Sequence, residues 1–338
     1  MLVENLFFLL GAISIFLYGL KMLSDGVSQI ASDKIKGIVK GATSTRCGAI
    51  LTGVTATAIA QSSIATNMIV IAFVEKGIIS FMSACAVIMG TNIGTTITAQ
   101  LVSLSTISNF NVTAIGSFIA FIGLLLSFCK RDNLKNIGVA LLGFGFVFIG
   151  IKLLTEVVET FEKYLWFTNL FKVKNPLLLL LNGFIITAIL QSSSVVTSVI
   201  IVLGSLGLLD FKSATFFILG ANVGTCLPVI YASVALGKDS MKCAIFNIAF
   251  NVTGVFVFFI PLALLGDKIT SLPVFNAGIG RNIANFHTLF NFLVTLMLTP
   301  ILKHFCKLVE KIYNFLYSSE EKRENSKLNL RLKLKNYK

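Results

Sequence analysis

The chain has 338 residues, 55% of them hydrophobic and only 13% charged, with a mean hydropathy of +0.88. Soluble domains run about 45–50% apolar with about a quarter of their residues charged; so little polar surface cannot cover a water-soluble globule, which excludes a soluble enzyme or a DNA-binding protein. The formal net charge of +13 is no nucleic-acid signal, because no basic stripe alternates with aromatics and ten of the 28 Lys and Arg lie between Lys303 and Lys338.

At about 20 apolar residues per crossing, spans are expected near 6–23, 80–104, 111–129, 136–155, 213–234, 243–265 and 283–302. Residues 6–23 lack a basic flank and a small-residue cleavage site, and read as a retained first helix. Two further segments, 49–76 and 178–206, have about 28 residues each with a polar Gln-Ser-Ser in the middle. That is too long for one crossing and too short for two. At 1.5 Å per residue each fits a re-entrant hairpin of two half-helices with its turn at membrane depth, where irregular backbone is tolerated only inside protein or beside a cavity. The six cysteines form no CxxC and read as small apolar fillers.

The chain repeats itself. Residues 52–104 align without a gap onto 182–234, with 18 identities in 53 positions, among them Gln61-Ser62-Ser63 on Gln191-Ser192-Ser193 and Asn92, Gly94, Thr95 on Asn222, Gly224, Thr225. Gly19-Leu20-Lys21-Met22-Leu23 likewise resembles Gly150-Ile151-Lys152-Leu153-Leu154. A hairpin adds no net crossing, so each copy crosses three times and the second is inverted. The expected division is repeat 1 over 1–135, repeat 2 over 136–265, an additional helix within 266–317 and a charged tail over 318–338. With the N-terminus outside and the C-terminus inside, 20 Lys and Arg fall on the cytoplasmic side and 6 on the other, with Lys21 and Lys152 at span edges. The fold class expected is an all-α polytopic membrane protein of two inverted repeats, each with a re-entrant hairpin and an interrupted helix, the architecture of secondary transporters.

The paired motifs suggest the chemistry. A half-helix starting at each Gln-Ser-Ser turn directs unpaired N–H groups and a positive dipole end inward, a cradle for a small oxyanion; serine hydroxyls add donors. The plainer reading is that Ser and Gln bridge neighbouring helices. Gly90-Thr91-Asn92-Ile93-Gly94-Thr95 and Gly220-Ala221-Asn222-Val223-Gly224-Thr225 place two glycines around an Asn within a span, which can free carbonyls for a sodium ion or serve close packing. No Asp, Glu, Lys or Arg falls in the centre of a span, which leaves proton coupling without a carrier. His287 is the one ionisable candidate and reads as a packed, hydrogen-bonded residue. No Walker A sequence and no serine–base pairing is present, so neither ATP drive nor hydrolysis is expected.

With these motifs in order, the chain resembles the type II sodium-dependent phosphate cotransporters and their bacterial relatives, over residues 6–302. The resemblance implies a non-enzymatic sodium/phosphate symporter of the cytoplasmic membrane. It assigns phosphate to Ser62, Ser63, Ser192, Ser193 and Ser194, and sodium to Gln61, Thr66, Asn92, Thr95, Gln191, Asn222 and Thr225. Sodium is the only metal and cotransported ion implied; inorganic phosphate and membrane lipid are the expected partners, without nucleic acid, as monomer or homodimer. Three departures stand out: Ile64 replaces the third serine of the first motif, Val195-Val196 replaces Ala-Thr after the second so that Thr197 is the substitute sodium oxygen, and the tail from Ser318 is too short for the regulatory domain many bacterial relatives carry. Transport of sulfate, arsenate or an organic phosphate, a phosphate-binding sensor, or a structural scaffold are the alternatives.

Overall fold

A computed structural model describes residues 2–41, 45–104, 112–161 and 173–335. Lys163, Lys172 and Lys338 of the charge count, and the first residue of the span expected at 111–129, lie outside the described residues. Among the described residues twelve α-helices follow in order: α1 Leu2–Gly41, α2 Arg46–Ala60, α3 Ser63–Glu75, α4 Phe81–Ser103, α5 Val112–Ser127, α6 Asp132–Phe161, α7 Pro176–Leu190, α8 Ser193–Ser205, α9 Phe211–Gly224, α10 Cys226–Leu236, α11 Lys238–Thr270 and α12 Ile279–Lys335.

Among the described residues, six helical stretches are long and apolar enough to cross a membrane: Val3–Val27, Phe81–Ser103, Asp132–Phe161, Phe211–Leu236, Lys238–Thr270 and Ile279–Tyr317. Their outward faces carry large apolar side chains such as Phe7, Phe256 and Leu264 in the open, a pattern suited to lipid and costly in water. The chain is an all-α, multi-pass membrane protein. The third expected span, 111–129, is described as α5, 16 residues long, below the length of a full crossing. The backbone of the tail to Lys335 continues α12.

Two helix–turn–helix units stand where Gln-Ser-Ser occurs. Asn175 caps α7 by accepting from Leu177 and Leu178 N–H, with Pro176 in the first turn, where a missing N–H costs nothing. Thr45 caps α2 through Gly48 N–H. Each first helix ends on a glutamine in the left-handed region, Gln61 at φ 51° and Gln191 at φ 53°, a conformation that costs a non-glycine residue about 1 kcal/mol. Gln61 is held there by its own side chain: Nε2 donates to the Ala58 carbonyl at 2.6 Å, and Oε1 accepts from Thr98 Oγ1 at 2.8 Å.

The glycines explain how each unit seats. A Cβ on Gly90 would run into the Ile50 carbonyl, one on Gly53 into that of Val87, and one on Gly94 would lie 2.7 Å from that of Val54. The second unit repeats these contacts at Gly220 with Leu180, Gly183 with Phe217 and Gly224 with Phe184. Backbone thus meets backbone where α2 crosses α4 and where α7 crosses α9, as small residues permit in membrane helices.

This corrects one expectation. Gly90–Thr95 does not interrupt its span: α4 runs unbroken from Phe81 to Ser103, and its glycines serve packing. In the second copy the helix does break, at Thr225 between α9 and α10. Next to the break the copies differ at Pro228, which has no N–H to return to the Gly224 carbonyl, whereas Thr98 stands at the matching place in α4.

Helices α1, α5 and α6 form one layer, with α6 between the other two; α1 joins it to the first hairpin through α2. The remaining helices gather around α4 and α9, with α12 against α4, α8, α9 and α11. Edge-to-face ring pairs fasten this side, Phe211 with Phe275 at 4.9 Å and Phe258 with Phe290 at 5.1 Å.

Candidate functional site

Helices α3 and α8 both begin at the third residue of the motif, with the second as the N-cap. Ser62 accepts from Ala65 N–H at 3.2 Å and Ser192 from Val195 N–H at 3.4 Å, so these serines cap their helices while Ser63 and Ser193 occupy the first helical position. The caps leave first-turn N–H groups of both helices without intrahelical partners.

The two tips line one cavity of about 290 Å3. Gln61, Ser62, Ser63 and Ile64 come from the first tip; Gln191, Ser192, Ser193, Ser194 and Val195 from the second; Thr98 and Thr225 complete that wall. At about 30 Å3 per liquid water, the space greatly exceeds one solvent molecule. The chemistry available is donor-rich: hydroxyls, helix N-termini and amides, the set that holds a small oxyanion. Ile64 faces the cavity in place of a third serine, so the first tip offers one hydroxyl fewer than the second.

Other expected residues are elsewhere. Thr66, Asn92, Thr95, Thr197 and Asn222 are buried but do not line this cavity. Thr66 Oγ1 donates to the Ser62 carbonyl at 3.0 Å, Thr95 Oγ1 to Thr91 at 2.8 Å and Thr225 Oγ1 to Asn222 at 2.6 Å. Asn92 Nδ2 donates to the Ile88 carbonyl at 2.9 Å and Asn222 Nδ2 to that of Ile218 at 2.8 Å. Asn92 also reaches Asn247 Oδ1 at 3.5 Å, which accepts from Asn251 Nδ2 at 3.2 Å, tying α4 to α11. Their donors are thus committed, while their oxygens keep lone pairs that could face a cation. Thr197 Oγ1 is fully buried without a protein partner, as are Thr57 Oγ1 and Thr187 Oγ1 at matching positions of the two copies. Orphaned buried oxygens of this kind are costly and fit the neutral oxygen set that a sodium ion accepts.

His287 is fully buried, as expected, but neither ring nitrogen has a protein hydrogen-bond partner, so its expected hydrogen bonds are not made. It does not line the cavity.

Lys21, Ser24 and Asp25 line the cavity from α1 and are not among the residues that motif and spacing single out. The span expected from composition ends at residue 23 and puts Lys21 at its edge; the apolar stretch instead runs from Val3 to Val27, and α1 passes beside the first hairpin. The signal that could have found Lys21 is the duplicated Gly19–Leu23 segment, of which it is the one charged residue. Replacing Thr98 by Val should remove the brace on Gln61 and cost about 1 kcal/mol, read as a lower unfolding temperature in detergent; an unchanged melting point would show that the left-handed turn does not depend on it.

Together these features define a class: a polytopic α-helical membrane protein with two capped helix–turn–helix tips lining one polar cavity. The chain belongs to the Na+/Pi-cotransporter family, whose model matches residues 15–156 and 166–290. It is 30% identical over 300 residues to "Uncharacterized protein YqeW" of Bacillus subtilis, covering 87% of this chain and 94% of that one. It is 22% identical over 311 residues to "Putative inorganic phosphate export protein YjbB" of Escherichia coli, covering 90% of this chain and 56% of that one. Human "Sodium-dependent phosphate transport protein 2B" is 32% identical over 128 residues, covering 37% of this chain and 16% of that one. The chain therefore spans about half the length of the Escherichia coli relative. No solved structure matches it.

Proposed function

We propose that the protein is a sodium-coupled symporter of inorganic phosphate in the cytoplasmic membrane, with Ser62, Ser63, Ser192, Ser193 and Ser194 holding phosphate between the two tips. The observation that carries this reading is the convergence of both Gln-Ser-Ser turns on one cavity. Two helix N-termini and several hydroxyls suit a tetrahedral oxyanion, and family membership favours phosphate.

Sodium is assigned to oxygens of Gln61, Thr66, Asn92, Thr95, Gln191, Thr197, Asn222 and Thr225. A cation near the tips offsets the anion's charge where the dielectric is low. The two copies act as inverted repeats with re-entrant hairpins, N-terminus outside and C-terminus inside, and the cycle is a rigid shift that exposes the cavity to alternate sides. The direction of net flux follows the gradients, so the export named for the Escherichia coli relative is compatible with the same site.

The test is uptake of labelled phosphate into proteoliposomes holding the purified chain. Uptake should rise at least about tenfold with an inward sodium gradient over an equal potassium gradient. Uptake indifferent to sodium would sink the coupling; uptake of sulfate or arsenate in preference to phosphate would replace the substrate.

A further inference from the structure

Among the residues lining the tip cavity, two are charged, Lys21 and Asp25. They are one helical turn apart on α1, a spacing at which lysine and a carboxylate can close an ion pair. The second copy has the same arrangement, Lys152 and Glu156, each 131 positions on. There the pair is closed, with Nζ 3.2 Å from Oε1 and both side chains about half exposed. In the first copy no ion pair within 4.0 Å joins Lys21 to Asp25 among the described residues. The two duplicated pairs thus differ in state as well as in carboxylate length: the pair that borders the hydroxyl-lined cavity is open, and the pair on α6, whose residues do not line it, is closed.

The chemistry of the cavity gives this difference a use. Its other donors are neutral hydroxyls, amides and N–H groups, which contact an oxyanion without matching its net charge. We propose that Lys21 is the residue that reads the charge of the bound oxyanion, its ammonium meeting the anion held at the tips, while Asp25 competes with the anion for that ammonium. This inference rests on the oxyanion reading of the cavity given above. Lysine suits the task as a compact charge on a flexible stem that can move between two partners. Binding the anion exchanges one ion pair for another. Removing the lysine therefore weakens binding, and removing the carboxylate strengthens it.

Opposite signs from neighbouring residues distinguish this role from a structural one. The full-length protein and its Lys21→Met, Lys21→Arg, Asp25→Asn and Lys152→Met variants would be compared for phosphate KM and kcat in proteoliposomes. Calorimetric binding of phosphate, arsenate and sulfate in detergent would be measured alongside. Lys21→Met should raise KM or Kd about tenfold, equal to about 1.4 kcal/mol, with a smaller change in kcat. Lys21→Arg should retain most affinity, Asp25→Asn should lower KM about two- to threefold, and Lys152→Met should match wild type. Wild-type affinity in Lys21→Met, or Asp25→Asn weakening binding as Lys21→Met does, would overturn the assignment while leaving the oxyanion site standing. If wild type binds sulfate or arsenate instead of phosphate, the phosphate assignment fails and the same signs on that anion uphold Lys21. Binding of none of the three overturns both.

Discussion

Replacing Ser63 and Ser193 together by alanine is expected to reduce sodium-driven phosphate uptake by about a hundredfold or more while leaving the fold intact. A hydrogen bond to a charged partner contributes about 1.5–3 kcal/mol, so two lost donors account for a factor of that order. The fold should survive because neither hydroxyl caps its helix; that task falls to Ser62 and Ser192. The companion variant Ser62→Ala/Ser192→Ala should behave differently, losing transport and about 1 kcal/mol of stability per cap. Uptake assays with melting curves on the same preparations separate the two cases. Wild-type uptake in Ser63→Ala/Ser193→Ala would remove the hairpin tips from the mechanism.

The largest effect on stability is expected at Gly90 and Gly220. Alanine at either would drive a Cβ into a carbonyl oxygen of the facing helix, Ile50 or Leu180. Backbone cannot rotate aside as a flexible side chain can, so each substitution should cost about 3 kcal/mol or more, at the upper end for overpacking. The double variant should fail to accumulate as monodisperse protein. Gly11 is the control: a Cβ added there would meet nothing within 4 Å, and Gly11→Ala within a helix should be neutral or stabilising by up to about 1 kcal/mol. A Gly90→Ala protein melting with wild type would show that α2 and α4 can separate without cost.

The same glycines mark where reading the sequence stops. Gly-x-Asn-x-Gly signals either an unwound segment or a close crossing, because removing a side chain both weakens a helix and admits a neighbour. Which outcome holds depends on what lies opposite. In α4 it is the carbonyls of α2, and the helix continues. In α9 the matching glycines meet α7, yet the span breaks at Thr225, shortly before Pro228. The proline is legible in the chain and differs between the copies. The glycines are the more conspicuous feature and do not.

Composition and local chemistry are enough for the membrane class, the all-helical content, the duplication and the two polar turns: apolar length, a serine that caps, a motif written twice. They also locate Gln61, Ser62, Ser63, Gln191, Ser192, Ser193 and Ser194, because a helix start is set by the residues that form it. Tertiary structure decided which polar residues share a cavity. The family resemblance assigns Thr66, Asn92, Thr95, Thr197 and Asn222 to sodium, but they are buried without lining the cavity between the tips. Lys21 and Asp25 lie at the edge of a span by hydropathy, but α1 runs beside the first hairpin and brings them to the cavity. Proximity between distant segments arises from how helices pack against one another, and no local pattern encodes it.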